Sequence, residues 1–286
     1  MKNVSVISGG ASGMGKESAR RLAKDGPVVI FDINETLLET VRQEFADAGF
    51  EAYSMVADIT KPEQLAKVAD YAASIGHVKN VIHAAAKDFN TVEPLPEPEA
   101  SKEIIENVIF GTVNMVDVFL PIMENGSFIA YASLAADSAE LEDDDYDLWE
   151  EVHEDDFRAR VTERVLGLQP LFGMPQHAYH AYCYAKAFCR FFISMNAMRF
   201  GEKGCHIVAV SPGSFDTPLL APQKAAQDGH GAENLASVTA LGRIGQPEEM
   251  AELVYDLCQP NLFYITGVNI TMDGGVYAVT NTPQLD

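Results

Sequence analysis

Short β-branched and aliphatic runs alternate along the chain with longer stretches whose apolar residues recur every three or four positions. Residues 4–7, 28–31, 52–56, 81–82, 128–131, 207–210 and 268–272 read as strands. The stretches 14–25, 35–48, 61–74, 101–119, 179–200 and 247–257 read as helices. In the second of these, Leu37, Leu38, Val41 and Phe45 fall on one helical face, and Pro62 stands in the first turn of the third. Strictly alternating strands and helices are the signature of βαβ units on a parallel sheet. No internal repeat or low-complexity linker interrupts the pattern. The expected architecture is a single α/β domain over 1–286, a doubly wound parallel sheet, with an insertion at 136–178.

Charge changes this picture at one place. The chain carries 42 acidic and 20 basic residues, a net charge of −22, which argues against nucleic acid and anionic membranes as partners. Twelve of the acids lie between Asp137 and Asp156, where there is no Lys or Arg. Leu148, Trp149, Val152, Phe157, Val161, Val165 and Leu168 run through and beyond the same segment at roughly helical steps. They predict one or two amphipathic helices docked on the domain; an unfolded acidic loop is the alternative. Cys183, Cys189, Cys205 and Cys258 lack metal-type spacing and are expected to be reduced thiols. The histidines are scattered, so no metal site is expected. The first residues lack a basic stretch followed by an apolar one, and no uninterrupted apolar run looks long enough to span a bilayer. The expected compartment is the cytoplasm.

Candidate chemistry begins after the first strand. Ser8-Gly9-Gly10-Ala11-Ser12-Gly13-Met14-Gly15 opens a helix, and glycines there let a pyrophosphate approach the backbone and the helix N-terminus. A plain tight turn is the other reading of this cluster alone. Asp32 ends the second strand, where an acid accepts hydrogen bonds from adenosine ribose hydroxyls and repels a 2′-phosphate. Ile33-Asn34-Glu35 brings no cation, so NAD is expected over NADP, unless Asp32 only caps the next helix. Farther on, Tyr182 and Lys186 stand one helical turn apart. A lysine ammonium and an oxidised nicotinamide would stabilise the phenolate and make Tyr182 a base. Tyr179 and Tyr184 have no Lys or Arg four residues downstream.

Taken in order, Gly9/Gly13/Gly15, Asp32, Asp58-Ile59, Asn107, Ser133, Tyr182/Lys186, Pro212-Gly213 with Thr217, and Asp273-Gly274-Gly275 resemble the short-chain dehydrogenase/reductase family. The resemblance covers nearly the whole chain outside the insertion and implies a Rossmann-type fold and an NAD-dependent oxidoreductase. It implies that Ser12 and Met14 join the glycines at the cofactor, and that Asp58 and Ile59 contact the adenine. Asn107 would hold a water linked to Lys186. Ser133 would hydrogen-bond the substrate oxygen, and Lys186 would also hold the nicotinamide ribose. The 212–217 loop, with Pro212, Gly213, Phe215 and Thr217, would bind the carboxamide end. The family's usual Asn-Asn-Ala-Gly is His83-Ala84-Ala85-Ala86 here. Backbone contacts from Ala84, Ala85 and Ala86 remain expected, with His83 taking a structural place.

Ser133 and Tyr182 stand 49 positions apart, much farther than is usual in the family. An insertion here resembles the 3α-hydroxysteroid dehydrogenase/carbonyl reductase branch. The resemblance implies a secondary alcohol/ketone interconversion, with a hydroxysteroid or other bulky cyclic alcohol favoured. Polyol, sugar or acyl-carrier ketoreduction is the rival, and a non-catalytic NAD-binding regulator is the alternative from another class. A homodimer or homotetramer is expected, with the insertion blocking the usual four-helix contact. Residues 219–236 are expected to form a mobile flap hinged at Gly229 and Gly231.

Overall fold

The computed structural model describes residues 1–92, 95–168, 177–225 and 230–283. Seven parallel strands form one sheet in the order β3-β2-β1-β4-β5-β6-β7. They are β1 (Asn3–Ser8), β2 (Val28–Asp32), β3 (Ala52–Val56), β4 (His77–His83), β5 (Ser127–Tyr131), β6 (His206–Pro212) and β7 (Val268–Met272). Helices α1 (Gly13–Leu22), α2 (Glu35–Asp47) and α3 (Pro62–Ile75) connect the first four strands. A short α4 (Phe89–Val92), α5 (Glu99–Ile104), a π-turn (Ile105–Phe110) and α6 (Gly111–Phe119) lead to β5. Chain order reverses between β1 and β4, whose successor elements leave to opposite sides. Such a switch point opens a crevice at the carboxyl ends of the strands. Continuous apolar strands such as Val28–Phe31 are buried on both faces, as a helix-covered parallel sheet requires.

The expected doubly wound architecture is present, with two local differences. The 101–119 helix holds the π-turn at Ile105–Phe110, an i→i+5 irregularity that period counting does not register. The helix expected over 179–200 divides into α9 (His177–Met195) and α10 (Ala197–Gly201), because Asn196 turns its side-chain amide back onto the Phe192 carbonyl at 2.7 Å. The run Glu99–Ile122, though interrupted by Lys102, Glu103, Glu106 and Asp117, forms a helix long and apolar enough by length and composition to cross a membrane. Most of it is buried against the sheet, as a core helix would be.

Beyond β5 a 3₁₀ turn (Leu134–Ser138) leads into α7 (Asp143–Glu150) and α8 (Phe157–Leu166), the amphipathic pair expected in the insertion. All seven apolar residues that predicted it are buried. Residues 169–176, its last part, lie outside the described residues. Trp149 packs on Tyr184, Phe188 and Phe191 of α9, and Phe157 packs on Phe110 and Phe188. The join also has a polar centre. Tyr184 Oη donates to Asp145 Oδ1 at 2.8 Å and accepts the Trp149 indole N–H at 2.9 Å. Arg164 forks onto both Asp145 oxygens at 2.8 and 2.7 Å, and Asp145 is 1% exposed. One acid of a highly acidic segment is thus a buried, fully hydrogen-bonded anchor.

After β6 come α11 (Ala221–Ala225), α12 (Gly231–Ser237), α13 (Pro247–Leu257) and, beyond β7, α14 (Val276–Asn281). The expected flap hinge at Gly229 lies outside the described residues; Gly231 opens α12.

Burial alone would raise the Asp145 carboxyl, but Arg164, the Glu142 N–H and Tyr184 together hold it below its ordinary value. Arg164→Ala should therefore strand a buried charge and cost about 3–5 kcal/mol of stability, read from denaturant midpoints. The stabilisation is present above the unfolded-chain value of about 3.9 and is lost as pH falls through the lower folded value. The stability gap between wild type and Asp145→Asn should accordingly shrink in acid.

Candidate active site

The turn after β1 packs against the exit of β4. A side chain on Gly9 (φ +66°) would place its Cβ 2.7 Å from the Ala85 nitrogen, and one on Gly15 would reach 2.3 Å from the Gly9 carbonyl oxygen. Glycine is therefore required by backbone approach, and the start of α1 is left open to the crevice. Behind this turn stands His83, only 4% exposed. Thr112 Oγ1 donates to the Val108 carbonyl at 2.6 Å, so it accepts from His83 Nε2 at 3.2 Å. His83 Nδ1 then accepts from Ser8 Oγ at 2.9 Å, which itself accepts the Ala85 N–H at 3.2 Å. This chain of donors assigns the proton to Nε2 and ties β1, β4 and α6 together. Burial, with the Lys186 charge second, lowers the imidazole to about 3. His83 takes a neutral bracing place, as the sequence suggested.

One cavity of about 780 Å³ runs along the strand ends. Every residue expected at the cofactor or the chemistry lines it, from Gly9, Asp32 and Asp58 at one end to Asn107, Ser133, Tyr182, Lys186 and Thr217 at the other. Asp32 is not the cap of α2. Asn34 is, accepting from Leu37 N at 3.0 Å, while Asp32 accepts from Asn34 N at 3.0 Å. Asp58 Oδ1 accepts from the Thr60 N–H and hydroxyl at 2.8 and 2.9 Å, which holds the loop after β3.

Asn107 lies in the π-turn, buried, with Oδ1 accepting from Lys87 N at 2.6 Å. Ser133 caps the 3₁₀ turn by accepting from Ala135 N at 3.1 Å. It also faces the Tyr182 phenol, which its hydrogen bond lowers. Burial outweighs that bond and, with Asp88 nearby, keeps the phenol above its ordinary value. Lys186 is 3% exposed; its Nζ donates to the Tyr131 carbonyl at 2.7 Å and stands 5.7 Å from the Tyr182 ring centroid. Burial lowers its pKa, against smaller opposing effects of Cys189 and Asp88. The lysine thus lies beside the ring and is held by a backbone carbonyl. By itself it does not bring the phenol below its usual range. Among the described residues no cluster of His, Cys, Asp or Glu is placed to hold a metal.

The opposite wall went unpredicted. Phe89 packs edge-on to Tyr179 and Tyr182 at 5.1 and 5.9 Å, and Leu134, Leu219, Val238 and Val276 extend an apolar lining. Tyr179 had one sequence signal, its place three residues before Tyr182 on the same helix face. Phe89 had none, since the one-turn helix α4 that carries it is too short to show a period.

Residues 3–144 match the family model described as short chain dehydrogenase, and 171–277 match that described as enoyl-(acyl carrier protein) reductase. The chain is 27% identical to diacetyl reductase [(S)-acetoin forming] of Staphylococcus epidermidis, covering 96% of this chain and 99% of the relative. It is likewise 27% identical to cyclohexanol dehydrogenase of Acinetobacter sp., covering 95% and 93%. At 24% identity it resembles 7alpha-hydroxysteroid dehydrogenase of Escherichia coli, over 94% and 92%. A short-chain type dehydrogenase/reductase from Mycobacterium ulcerans shares the fold at TM-score 0.75 and 21% identity, over 96% and 90% of the chains. An actinorhodin polyketide ketoreductase variant solved with NADPH does so at 0.74 and 20%, over 96% and 97%.

His83→Leu should leave the Ser8 and Thr112 hydroxyls short of a partner and cost about 1–3 kcal/mol. His83→Asn, which keeps a donor and an acceptor, should cost less in the same denaturant titration. Because the folded imidazole titrates near 3, acid favours the unfolded chain, and this contribution should fade as pH drops below about 6.5.

Proposed function

The chain belongs to the short-chain dehydrogenase/reductase family, and we propose that it interconverts a secondary alcohol and a ketone with NAD as hydride carrier and Tyr182 as acid and base. The observation that carries the reading is the convergence of Asn107, Ser133, Tyr182 and Lys186 on one cavity with the glycine turn. The crevice suits a dinucleotide: glycine is required at the turn, and the start of α1 lies open beside it. The residues that would hold it are Gly9, Ser12, Gly13, Met14 and Gly15 along the pyrophosphate, and Asp32, Asp58, Ile59 and Ala84–Ala86 around the adenosine. Pro212, Gly213, Phe215, Thr217 and Lys186 would hold the nicotinamide half. When bound, the nicotinamide supplies the acceptor for the hydride released as the alcohol C–H bond breaks.

The chain's own residues manage the proton. Ser133 donates to the substrate oxygen and steadies the alkoxide as the O–H bond breaks. That proton passes to Tyr182 Oη, and it returns by the same route in reduction. Buried Tyr182 and Lys186 both carry pKa shifts against their charged forms, so added positive charge in the crevice would favour the phenolate. NAD is preferred over NADP on local charge. Asp32 faces the crevice, while Lys16 and Arg20, the nearby bases of α1, are both paired with Glu44 at 2.7 and 3.0 Å.

For the substrate, the apolar wall of Phe89, Tyr179, Leu134 and Leu219 supports a bulky cyclic alcohol or hydroxysteroid over a polyol or sugar. The names of the cyclohexanol and hydroxysteroid relatives are consistent with that choice.

NADH formation over a panel of cyclic alcohols, steroids and polyols tests the reading. Tyr182→Phe should lower kcat by about 10²–10⁴; undiminished turnover would remove Tyr182 from the chemistry. Oxidation should accelerate as pH rises toward the raised phenol pKa. Wild type should bind NAD more tightly than NADP, with Asp32→Ala narrowing the gap; tighter NADP binding by wild type would refute the preference.

A further inference from the structure

Arg190 follows Lys186 by one helical turn and Tyr182 by two, on the same face of α9. Sequence reading attached no role to it. Its guanidinium reaches two other elements at once. Nη2 donates to the Ser133 carbonyl at 2.7 Å and to Asp137 Oδ2 at 3.1 Å. Nη1 donates to Asp137 Oδ1 at 2.5 Å, and Nε to Ser211 Oγ at 3.0 Å. Ser211 in turn donates to Asn269 Oδ1 on β7 at 2.6 Å. It is the residue immediately before Pro212-Gly213, where the Gly213 N–H continues the ladder to the Met272 carbonyl at 3.0 Å.

The three elements joined here carry the three parts of the proposed reaction. Helix α9 brings Tyr182 and Lys186, the turn after β5 brings Ser133, and the end of β6 begins the loop assigned to the nicotinamide. An exposed Arg–Asp pair alone holds little in place. This guanidinium is mostly buried, with 18% of its side chain exposed, and it spends its donors on a carbonyl, a hydroxyl and a carboxylate in fixed directions. A planar fork can do this, whereas a lysine's point charge cannot.

Resting on the function proposed above, we propose that Arg190 is a positioning residue that sets Ser133 against Tyr182 and both against the 212–217 loop. By gripping the carbonyl of Ser133 it fixes that residue's orientation, and hence where its hydroxyl meets the phenol. Through Ser211 it fixes how far the loop stands from the catalytic helix. The reacting groups are aligned by a side chain that touches neither substrate nor cofactor.

The test compares Arg190→Met, Arg190→Lys and Arg190→Ala with wild type. Misalignment should lower kcat about tenfold or more in the Met and Lys variants, with KM for NAD moving far less. Added methylguanidinium should restore part of the rate to Arg190→Ala and none to Arg190→Met, whose side chain fills the site. A Met variant within about twofold of wild-type kcat, or loss of rate matched by loss of folded protein without rescue, would overturn the proposal. Amide hydrogen exchange gives a readout independent of turnover. Peptides over 132–138 and 211–215 should exchange faster in Arg190→Met while those over β1 and α1 do not. Unchanged exchange there overturns the positioning role even if wild type oxidises none of the alcohols, an outcome that would separately sink the proposed reaction.

Discussion

Where the chain leaves the paired strands β1 and β4 to opposite sides of the sheet, two pieces of backbone come so close that only glycine fits between them. The contact of Gly9 with Ala85 sets the width of the crevice. Small residues at 84–86 follow from it, as does the start of α1 lining the crevice. Opening the backbone here costs packing at the centre of the sheet, and a hydrogen-bonded column from Ser8 through His83 to Thr112 closes it again. That column must be neutral, because a charge at this depth would have no water and no counterion. Burial keeps the imidazole neutral.

Helix α9 has two working sides. Tyr182, Lys186 and Arg190 look toward the cavity and its rim, while Tyr184, Phe188 and Phe191 hold the inserted helices. Tyr184 falls between Tyr182 and Lys186 and hydrogen-bonds the buried Asp145, so the insertion grips the helix at the level of the cavity. The acidic segment therefore has two physical components. Most of its carboxylates are exposed and solvated, and one is desolvated and matched by Arg164. Removing either partner of that pair is far costlier than removing any of the others.

The same burial that orders the site also sets its charge state. Tyr182 is held neutral and Lys186 is destabilised as a cation, so the pair stores no ready phenolate. Their reactivity depends on a charged partner in the crevice, and this couples cofactor occupancy to proton transfer in the proposed mechanism. Asp88, buried at the same wall, works against phenolate formation and in favour of the ammonium.

Local pattern was enough for the order of the main strands and helices, because short continuous apolar runs and apolar periods of 3.6 residues are written directly along the chain. It was also enough for the glycine turn, Asp32 and the Tyr182/Lys186 pair, which each carry a short-range reason, but not for the apolar wall of Phe89, Leu134, Leu219, Val238 and Val276. The amphipathic steps at Leu148, Val161 and Val165 announced helices even inside an acidic run. Tertiary structure decided everything that depends on two distant segments meeting. It placed the Lys186 ammonium on the Tyr131 carbonyl, brought Phe89 at the start of α4 to Tyr182, and chose Asp145 from the segment's twelve acids as the buried one. It also gave Arg190 its three partners, at 133, 137 and 211. Hydrogen bonds and desolvation act over a few ångströms in space, and one sequence records neighbours only along the chain.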